Sequence, residues 1–221
     1  MSEPDRPSST DDVPYAGLTP ECILDALEAV GFYPDGRLLA LNSYENRVWQ
    51  VGIEDAAPVV AKFYRPGRWT DAAILEEHAF VQQLAGAEVP AVPALTANSG
   101  DQSGTTLFTH EGFRFAVFPR CGGREPALDK AETRTWLGRF IGRIHAIGAT
   151  APYQARPALD IDTFGIASRD YLLAHDCIPA DLLAPWRAAA DLALDGVRRC
   201  YERAGEVRLL RLHGDCHRGN V

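Results

Sequence analysis

The chain has very little lysine: among its 22 basic residues only Lys62 and Lys130 are lysines, and the other 20 are arginines. We attribute so general a bias to codon usage. In such a chain, a lysine inside an apolar segment is expected to be there for its chemical function. Lys62 lies in such a segment, residues 59–64, and is therefore a candidate functional residue.

Paired cysteines, long apolar runs and an excess of positive charge are also missing. The five cysteines are scattered without a C-x-x-C pair, which argues against a disulfide framework or a zinc module. No apolar run approaches the ~20 residues of a membrane span, and the N-terminus lacks the apolar core of a signal peptide. The net charge of −8 disfavours sequence-independent nucleic-acid binding, which needs a basic surface. We expect a monomer of the reducing cytoplasm, with neither nucleic acid nor membrane as a partner.

The final residues, 213–221, have the spacing H-x-D-x-x-x-x-N of a phosphoryl-transfer catalytic loop. In such a loop Asp215 accepts the proton of an attacking hydroxyl, and Asn220 supplies a neutral oxygen to a magnesium ion. The spacing has a physical reason, because the loop must curl to bring one side chain to the acceptor and the other to the phosphates.

Two other interpretations of this loop stay open. Glycine, aspartate and asparagine also favour a plain polar turn, here after an apolar strand predicted at 207–212. His213, Cys216 and His217 could instead hold a metal ion, although a fourth ligand is not evident.

Three short apolar segments, 38–41, 48–53 and 59–64, predict consecutive antiparallel strands. In kinase-like folds the loop between the first two strands covers the nucleotide phosphates, and a lysine of the third strand bonds their oxygens. Lys62 suits the second role. The loop at 42–47 has no glycine, and a plain hairpin turn explains it equally well.

A helix is predicted from Thr70 to about Leu84, with Glu76 and Glu77 in its middle. A kinase-like site needs one acid on this helix, because an ammonium on a flexible stem has no fixed direction without a partner. We choose Glu77, since apolar residues of the helix follow it at offsets of three, four and seven. The alternative, a solvated surface acid, holds for at least one of the two.

The second half of the chain is predicted to be mostly helical. A hairpin around Glu111-Gly112 leads into segment 118–123, whose proline and glycines suit an interlobe hinge or a simple domain linker. The helix at 131–147 repeats apolar residues every four positions, and we expect this stripe, with His145, to be buried. Further helices are predicted at 168–175 and 180–204.

Six stretches resemble the bacterial stress response kinase A family, a branch of the aminoglycoside and choline phosphotransferase-like kinases. They are LNSYENRVWQV (41–51), VVAKFYRPGRW (59–69), ILEEHAF (74–80), GFRFAVFPRCGGR (112–124), LGRFIGRIHAIGA (137–149) and HGDCHRGN (213–220). The resemblance covers the chain from about residue 18 to its end.

For the fold, the resemblance implies an α+β, protein-kinase-like two-lobe architecture, with an antiparallel-sheet N-lobe and an incomplete, mostly helical C-lobe. We accordingly expect a disordered N-terminal tail at residues 1–17 and a nucleotide-binding N-lobe at 18–119. A hinge and a truncated C-lobe that ends in the catalytic loop are expected at 120–221.

For function, the resemblance implies ATP- and magnesium-dependent phosphorylation of serine or threonine hydroxyls of proteins, in an envelope-stress and survival role. It makes Asp215 the catalytic base, Asn220 a magnesium ligand, Lys62 the phosphate-binding lysine and Ser43 a nucleotide-loop residue. A kinase for small hydroxyl-bearing molecules such as aminoglycosides, choline or homoserine is the first alternative. A catalytically inactive nucleotide-binding module is the second.

Family members continue beyond this loop with a strand, a D-x-D-type segment that carries a second metal-binding aspartate, and several helices. The present sequence does not include them. We therefore expect a fragment of a longer gene product that is inactive by itself.

Overall fold

The computed structural model describes residues 14–98 and 101–220. The strands are β1 (Pro34–Leu41), β2 (Arg47–Ile53), β3 (Val59–Phe63), β4 (Phe108–His110) and β5 (Phe113–Pro119). The α-helices are α1 (Pro20–Glu28), α2 (Asp71–Gly86), α3 (Ala131–Gly148), α4 (Ala167–Ala174) and α5 (Leu183–Ala204). A π-helical turn (Ile161–Ile166) leads into α4, and a 3-10 turn (Arg218–Asn220) lies near the end of the chain. None of these helices is long and apolar enough to cross a lipid bilayer.

The described chain divides into two units. One contains the described residues up to Ile147 together with those from His213 onwards, and the other is Gly148–Leu212. The sheet, α1, α2 and the segment with Asp215 thus belong to one unit. This division differs from the lobe boundary expected at residue 120, because most of α3 and the C-terminal loop group with the sheet.

The strands form one antiparallel sheet in the order β1-β2-β3-β5-β4. Side chains alternate between its two faces, and in β3 Val59, Ala61 and Phe63 are buried on one of them. Lys62 lies between these residues and therefore points to the other face. The alternation of side chains along β3 thus places Lys62 on the face opposite to Val59, Ala61 and Phe63.

Helix α1 covers the first face. Thr19 caps it by accepting a hydrogen bond from the backbone N–H of Cys22, and Pro20 occupies its first turn, where a missing N–H costs nothing. Its apolar side joins the sheet in the larger core, which includes Ile23, Ala26, Leu27, Val30, Val51, Phe63, Phe108 and Phe115. Burial of this apolar surface is the main stabilising contribution to the unit.

Helix α2 packs on the second face. Thr70 caps it by accepting a hydrogen bond from the N–H of Ala73, and Ile74 is buried with Tyr64 and Ala116 in a smaller cluster. Ala116 of β5 is the direct cross-strand neighbour of Lys62. Helix α2 and Lys62 therefore share one face of the sheet.

The tail expected at residues 1–17 falls mainly outside the described residues. Its last part, residues 14–17, forms a turn. The hydroxyl of Tyr15 donates a hydrogen bond to the carbonyl of Glu45 at 2.9 Å, and the ring is half-buried. Residues 14–17 are thus ordered, in contrast to the disordered tail expected there, because Tyr15 has an aromatic ring to bury.

The strand expected at 207–212 is not formed, and these residues are irregular. A strand needs a neighbouring strand for its backbone groups. In the described chain the N–H of Arg211 instead donates to the carbonyl of Gly148 at 3.2 Å. A Cβ at position 148 would collide with the carbonyl oxygen of Arg211, so this close approach requires glycine.

The apolar stripe of α3 was expected to be buried, and this expectation was wrong. Trp136 is 61% exposed and meets Phe140 edge-on, with ring centroids 4.1 Å apart. His145 is also exposed rather than buried. Periodicity predicts which side of a helix is apolar, but it carries no information on whether another element covers that side.

Candidate functional site

An ion pair links the sheet to helix α2. Nζ of Lys62 on β3 lies 3.3 Å from Oε1 of Glu77 on α2. The two side chains are 24% and 31% exposed, so water partly screens the pair and its contribution to stability is about 1 kcal/mol or less. Its larger effect is on direction, because the carboxylate fixes an ammonium that also lies 4.8 Å from the ring centroid of Tyr64.

A buried histidine holds the rotation of α2 that brings Glu77 to Lys62. Nε2 of His78 is 2.8 Å from the hydroxyl of Tyr64, and Nδ1 is 2.9 Å from Oγ1 of Thr106. Both ring nitrogens are hydrogen-bonded, which offsets the cost of burying a polar ring. Since His78 directly follows Glu77, this network fixes the helix face beside the ion pair. Sequence analysis missed it, because a lone histidine on a helix carries no spacing signal.

Glu45 anchors the loop between β1 and β2. Its two carboxylate oxygens accept hydrogen bonds from Nε of Arg68 at 3.1 Å and from Nε1 of Trp69 at 3.0 Å. The guanidinium of Arg68 also stacks over the Trp69 ring, 4.5 Å from its centroid. Ser43, nearer to β1 in the same loop, is exposed. The loop is thus held at its β2 end by side chains and not by a glycine-rich backbone.

Asn46 adds a second bond to the same anchor. Its Oδ1 accepts a hydrogen bond from the backbone N–H of Arg65 at 3.3 Å. Two successive loop residues, Glu45 and Asn46, are therefore hydrogen-bonded to segment 65–69. This segment leads directly into Thr70, which caps α2. The placement of the loop is coupled in this way to the start of the helix that carries Glu77. These polar residues lie in turns, where polar residues are common, so sequence analysis did not single them out.

The C-terminal loop brings Asp215 and Asn220 together. Nδ2 of Asn220 donates hydrogen bonds to Oδ2 of Asp215 at 2.9 Å and to the Asp215 carbonyl oxygen at 3.0 Å. With the amide nitrogen used in this way, the amide oxygen of Asn220 is directed elsewhere. The side chain of Asp215 is 75% exposed. The loop thus presents one carboxylate and one amide oxygen to solvent.

The two histidines of this loop accept hydrogen bonds from its backbone. Nδ1 of His213 accepts from the N–H of Asp215 at 3.3 Å, and Nδ1 of His217 accepts from the N–H of Gly219 at 3.1 Å. Across residues 14–98 and 101–220, the loop's histidines and Cys216 do not form a group of neighbouring metal-ligating atoms. The geometry therefore disfavours the interpretation of this loop as a metal cluster.

Two polar contacts tie the C-terminal loop and α3 into the unit. Nε of Arg218 lies 2.8 Å from Oε1 of Glu125, in the segment after β5. This pair is 62% and 51% exposed and therefore contributes little energy. On α3, Nη2 of Arg143 donates to the carbonyls of Ala87 and Glu88, at the C-terminal end of α2. A cation is favourable at this end of a helix.

The structure brings four of the five predicted site residues together in two pairs. Lys62 meets Glu77, and Asp215 meets Asn220. Ser43 stays exposed in its loop and makes no hydrogen bond to the other four in the described chain. All five belong to the unit that contains the sheet. The first pair presents a directed positive charge, and the second presents a proton acceptor beside oxygen donors, while the individual roles remain predictions.

Comparisons with known proteins show which proteins the chain resembles. The chain is 41% identical over 207 residues to stress response kinase A of Escherichia coli (strain K12), a match that covers 94% of this chain and 61% of the relative. It is 39% identical, with the same coverage, to the serine/threonine protein kinase RdoA of Salmonella typhimurium. The resemblance seen in the sequence is confirmed. The chain spans about three-fifths of the length of these relatives.

Solved structures show the same fold at low sequence identity. Amicoumacin kinase hAmiN, in complex with AMP-PNP, Ca²⁺ and Ami, matches with a TM-score of 0.68 at 15% identity, over 90% of this chain and 59% of that one. A microcompartment-associated aminopropanol kinase matches with a TM-score of 0.50 at 18% identity, over 64% of this chain and 45% of that one. The expected α+β, kinase-like fold is confirmed.

A family model describes the same part of the chain that carries the site. The model of the phosphotransferase enzyme family, known as APH, matches residues 37–221. This range includes both pairs of site residues and the loop with Ser43. The chain belongs to the phosphotransferase enzyme family.

Proposed function

We propose that the chain is the nucleotide-binding and catalytic-loop part of an ATP-dependent serine/threonine protein kinase. The observation that carries this proposal is the Lys62–Glu77 ion pair between a central strand and its helix, in one unit with Asp215 and Asn220. A lysine held in this way presents a fixed positive charge to nucleotide phosphates. The names of the relatives, stress response kinase A and serine/threonine protein kinase RdoA, support a protein hydroxyl as the acceptor.

The reaction is an in-line phosphoryl transfer. The acceptor's hydroxyl oxygen forms a bond to the γ-phosphorus of ATP, while the bond between that phosphorus and the bridging oxygen of the departing ADP breaks. Asp215 takes the hydroxyl proton, and its exposed carboxylate is accessible to an incoming acceptor. Lys62 stabilises the negative charge that moves among the phosphate oxygens.

The C-terminal loop fits a magnesium ion. Magnesium prefers oxygen donors, and the hydrogen bonds from Nδ2 of Asn220 to Asp215 leave the amide oxygen of Asn220 as its donor atom. When bound, the ion supplies positive charge that neutralises the phosphates. Asn220 would hold the ion through its amide oxygen. In the solved amicoumacin kinase a divalent cation accompanies the nucleotide analogue.

The loop between β1 and β2 covers the nucleotide in this proposal. Ser43 is exposed there and offers a hydroxyl to a phosphate oxygen. Glu45 and Asn46 hold the loop at its β2 end, which limits the entropy lost when nucleotide binds. We further propose that the protein acts as a cytoplasmic monomer in a stress response, without nucleic acid or membrane as a partner.

Labelled ATP tests the proposal in a form of the protein extended to the length of its relatives. We expect magnesium-dependent label on serine or threonine of model protein substrates, and its loss in Asp215→Asn. Aminoglycosides, choline and homoserine are offered in parallel reactions. Transfer to these small molecules alone would replace the protein-kinase proposal by a small-molecule kinase. Nucleotide binding that ignores magnesium, with no transfer to any acceptor, would favour an inactive module.

The 221-residue chain is expected to show no turnover by itself. Magnesium demands near-octahedral oxygen coordination, and Asn220 alone cannot position the ion against both phosphates. Magnesium-dependent transfer by this chain alone would contradict this expectation.

A further inference from the structure

A second group of metal-ligating side chains lies on the face of the sheet opposite to Lys62. Cys22 belongs to α1, which covers that face. His110 ends β4 with the same parity as Phe108, which is fully buried in the α1 core. Glu111 follows in the turn to β5. Helix α1 and the β4–β5 hairpin are far apart in sequence. Together they bring a thiol, an imidazole and a carboxylate into one place.

The three ligand atoms are close together. The thiol sulphur of Cys22, one ring nitrogen of His110 and a carboxylate oxygen of Glu111 all lie within 4.8 Å of one another. Ligands bound tetrahedrally at ~2.0–2.3 Å from zinc are roughly 3.3–3.8 Å apart, so movements of about 1 Å would close the site. Cys22 is buried, His110 is half-buried and Glu111 is exposed. The group is therefore accessible to solvent at Glu111.

Without a metal the cysteine is a protonated thiol. Burial, a hydrogen bond with Glu111 and the negative charge of that carboxylate raise the pKa of the Cys22 thiol to about 11. In the described chain the imidazole of His110 makes no hydrogen bond to another residue. The half-buried ring thus keeps a nitrogen lone pair for a cation.

We propose that Cys22, His110 and Glu111 form a zinc site that joins α1 to the β4–β5 hairpin. A thiolate, an imidazole and a carboxylate are the donor types that zinc takes in proteins, and the exposed side leaves a fourth position for water. Binding forms the sulphur–zinc bond and releases the thiol proton to solvent, so no electrons are transferred. The site links α1 to the hairpin and lies on the face of the sheet opposite to Lys62.

Zinc at this position stabilises the folded unit by linkage. A ligand that binds only the folded chain raises the midpoint of thermal unfolding, by roughly 5–10 °C at a hundredfold excess over the dissociation constant. The effect does not depend on ATP. Its failure is therefore distinguishable from a failure of the proposed kinase activity.

The test uses the 221-residue chain with zinc and with cobalt(II) as a spectroscopic probe. We expect one equivalent of metal, a thiolate-to-cobalt charge-transfer band in the near ultraviolet, and the rise in thermal midpoint with zinc. Cys22→Ser should abolish the band, and His110→Gln should weaken zinc binding at least tenfold. Cys216→Ser is the matched control, because it removes an exposed thiol that lies between two histidines in sequence. It should leave both signals unchanged.

Three outcomes would overturn the proposal. These are the absence of any band and midpoint shift, a band that persists in Cys22→Ser, and a band that is lost in Cys216→Ser. His110→Gln keeps the thiol and changes only a half-buried side chain. If Cys22→Ser fails to fold, unchanged zinc affinity in His110→Gln would therefore still overturn the proposal.

Discussion

Replacing Glu77 by glutamine should damage catalysis much more than stability. The substitution keeps the size of the side chain and removes the charge that lies 3.3 Å from Nζ of Lys62. The two side chains are 24% and 31% exposed, and such pairs contribute about 1 kcal/mol or less. The free energy of unfolding should therefore fall by no more than this, which corresponds to about 2–4 °C in Tm for a chain of this size.

The effect on phosphoryl transfer has a different origin. Without the carboxylate, the ammonium of Lys62 loses its fixed direction toward the phosphates. We expect kcat/KM to fall by about 10- to 100-fold, or ~1.4–2.7 kcal/mol of transition-state stabilisation. Most of the loss should be in kcat, because the charge that the lysine meets rearranges in the transition state.

Glu76→Gln provides the matched control for this experiment. It removes the same charge from the preceding position of α2 and leaves the contact between Lys62 and Glu77 in place. Initial rates on the extended protein and thermal unfolding of the 221-residue chain are measured for both variants. Equal losses of kcat/KM in Glu76→Gln and Glu77→Gln would refute the assignment. The assignment would also be refuted if the activity that Glu77→Gln loses were fully explained by its lower Tm.

Four further predictions concern other parts of the chain. Lys62→Ala should lower kcat more than it weakens ATP binding in calorimetry, and Lys62→Arg should be nearly as damaging, since a planar fork does not replace a compact ammonium; an intact kcat would contradict this. Glu45→Ala should raise the KM for ATP several-fold by releasing the covering loop, whereas a change at the exposed Glu54 should not. Backbone hydrogen bonds lower the pKa of Asp160 below 3.8, so its stabilising contribution is present above that pH and is lost as the pH falls through the lower folded value. In Asp160→Asn, acid unfolding followed by circular dichroism should lack this pH-dependent contribution to stability. Hydrogen exchange should be slower in the sheet than across residues 131–212, where large apolar side chains are exposed, and uniform protection would argue against this.

Local patterns predicted the elements of the sheet well. The threonine that starts α2, the apolar strand at 59–64 and the turn at Glu111-Gly112 were all predicted, because these signals depend on a few adjacent residues. In that turn Glu111 and Gly112 both adopt positive φ angles, of 46° and 81°. This is the conformation that a two-residue hairpin loop requires. The strand expected at 207–212 failed because pairing, unlike a turn, needs a second segment.

The candidate site was predicted in part. Spacing alone suggested Asp215 with Asn220, and the structure shows how five positions of chain curl into one hydrogen-bonded pair. The preference for Glu77 came from apolar offsets along the helix. The ion pair itself depends on the packing of α2 against the sheet, which the buried His78 maintains. No local pattern indicated that histidine.

The sequence by itself determined the family, the strands and helices around the site, and the residue types able to handle a phosphate, a proton and a metal ion. These follow from short-range rules of spacing, capping and alternation. The tertiary structure alone decided which polar residues meet across the fold, such as Glu45 with Trp69 and Cys22 with His110. It also decided that Trp136 on the apolar side of α3 is exposed, while the other apolar residues of that side are only half-buried. The physical reason is the same in each case: burial and long-range contact depend on elements distant in the chain, and periodicity along one segment carries no record of them.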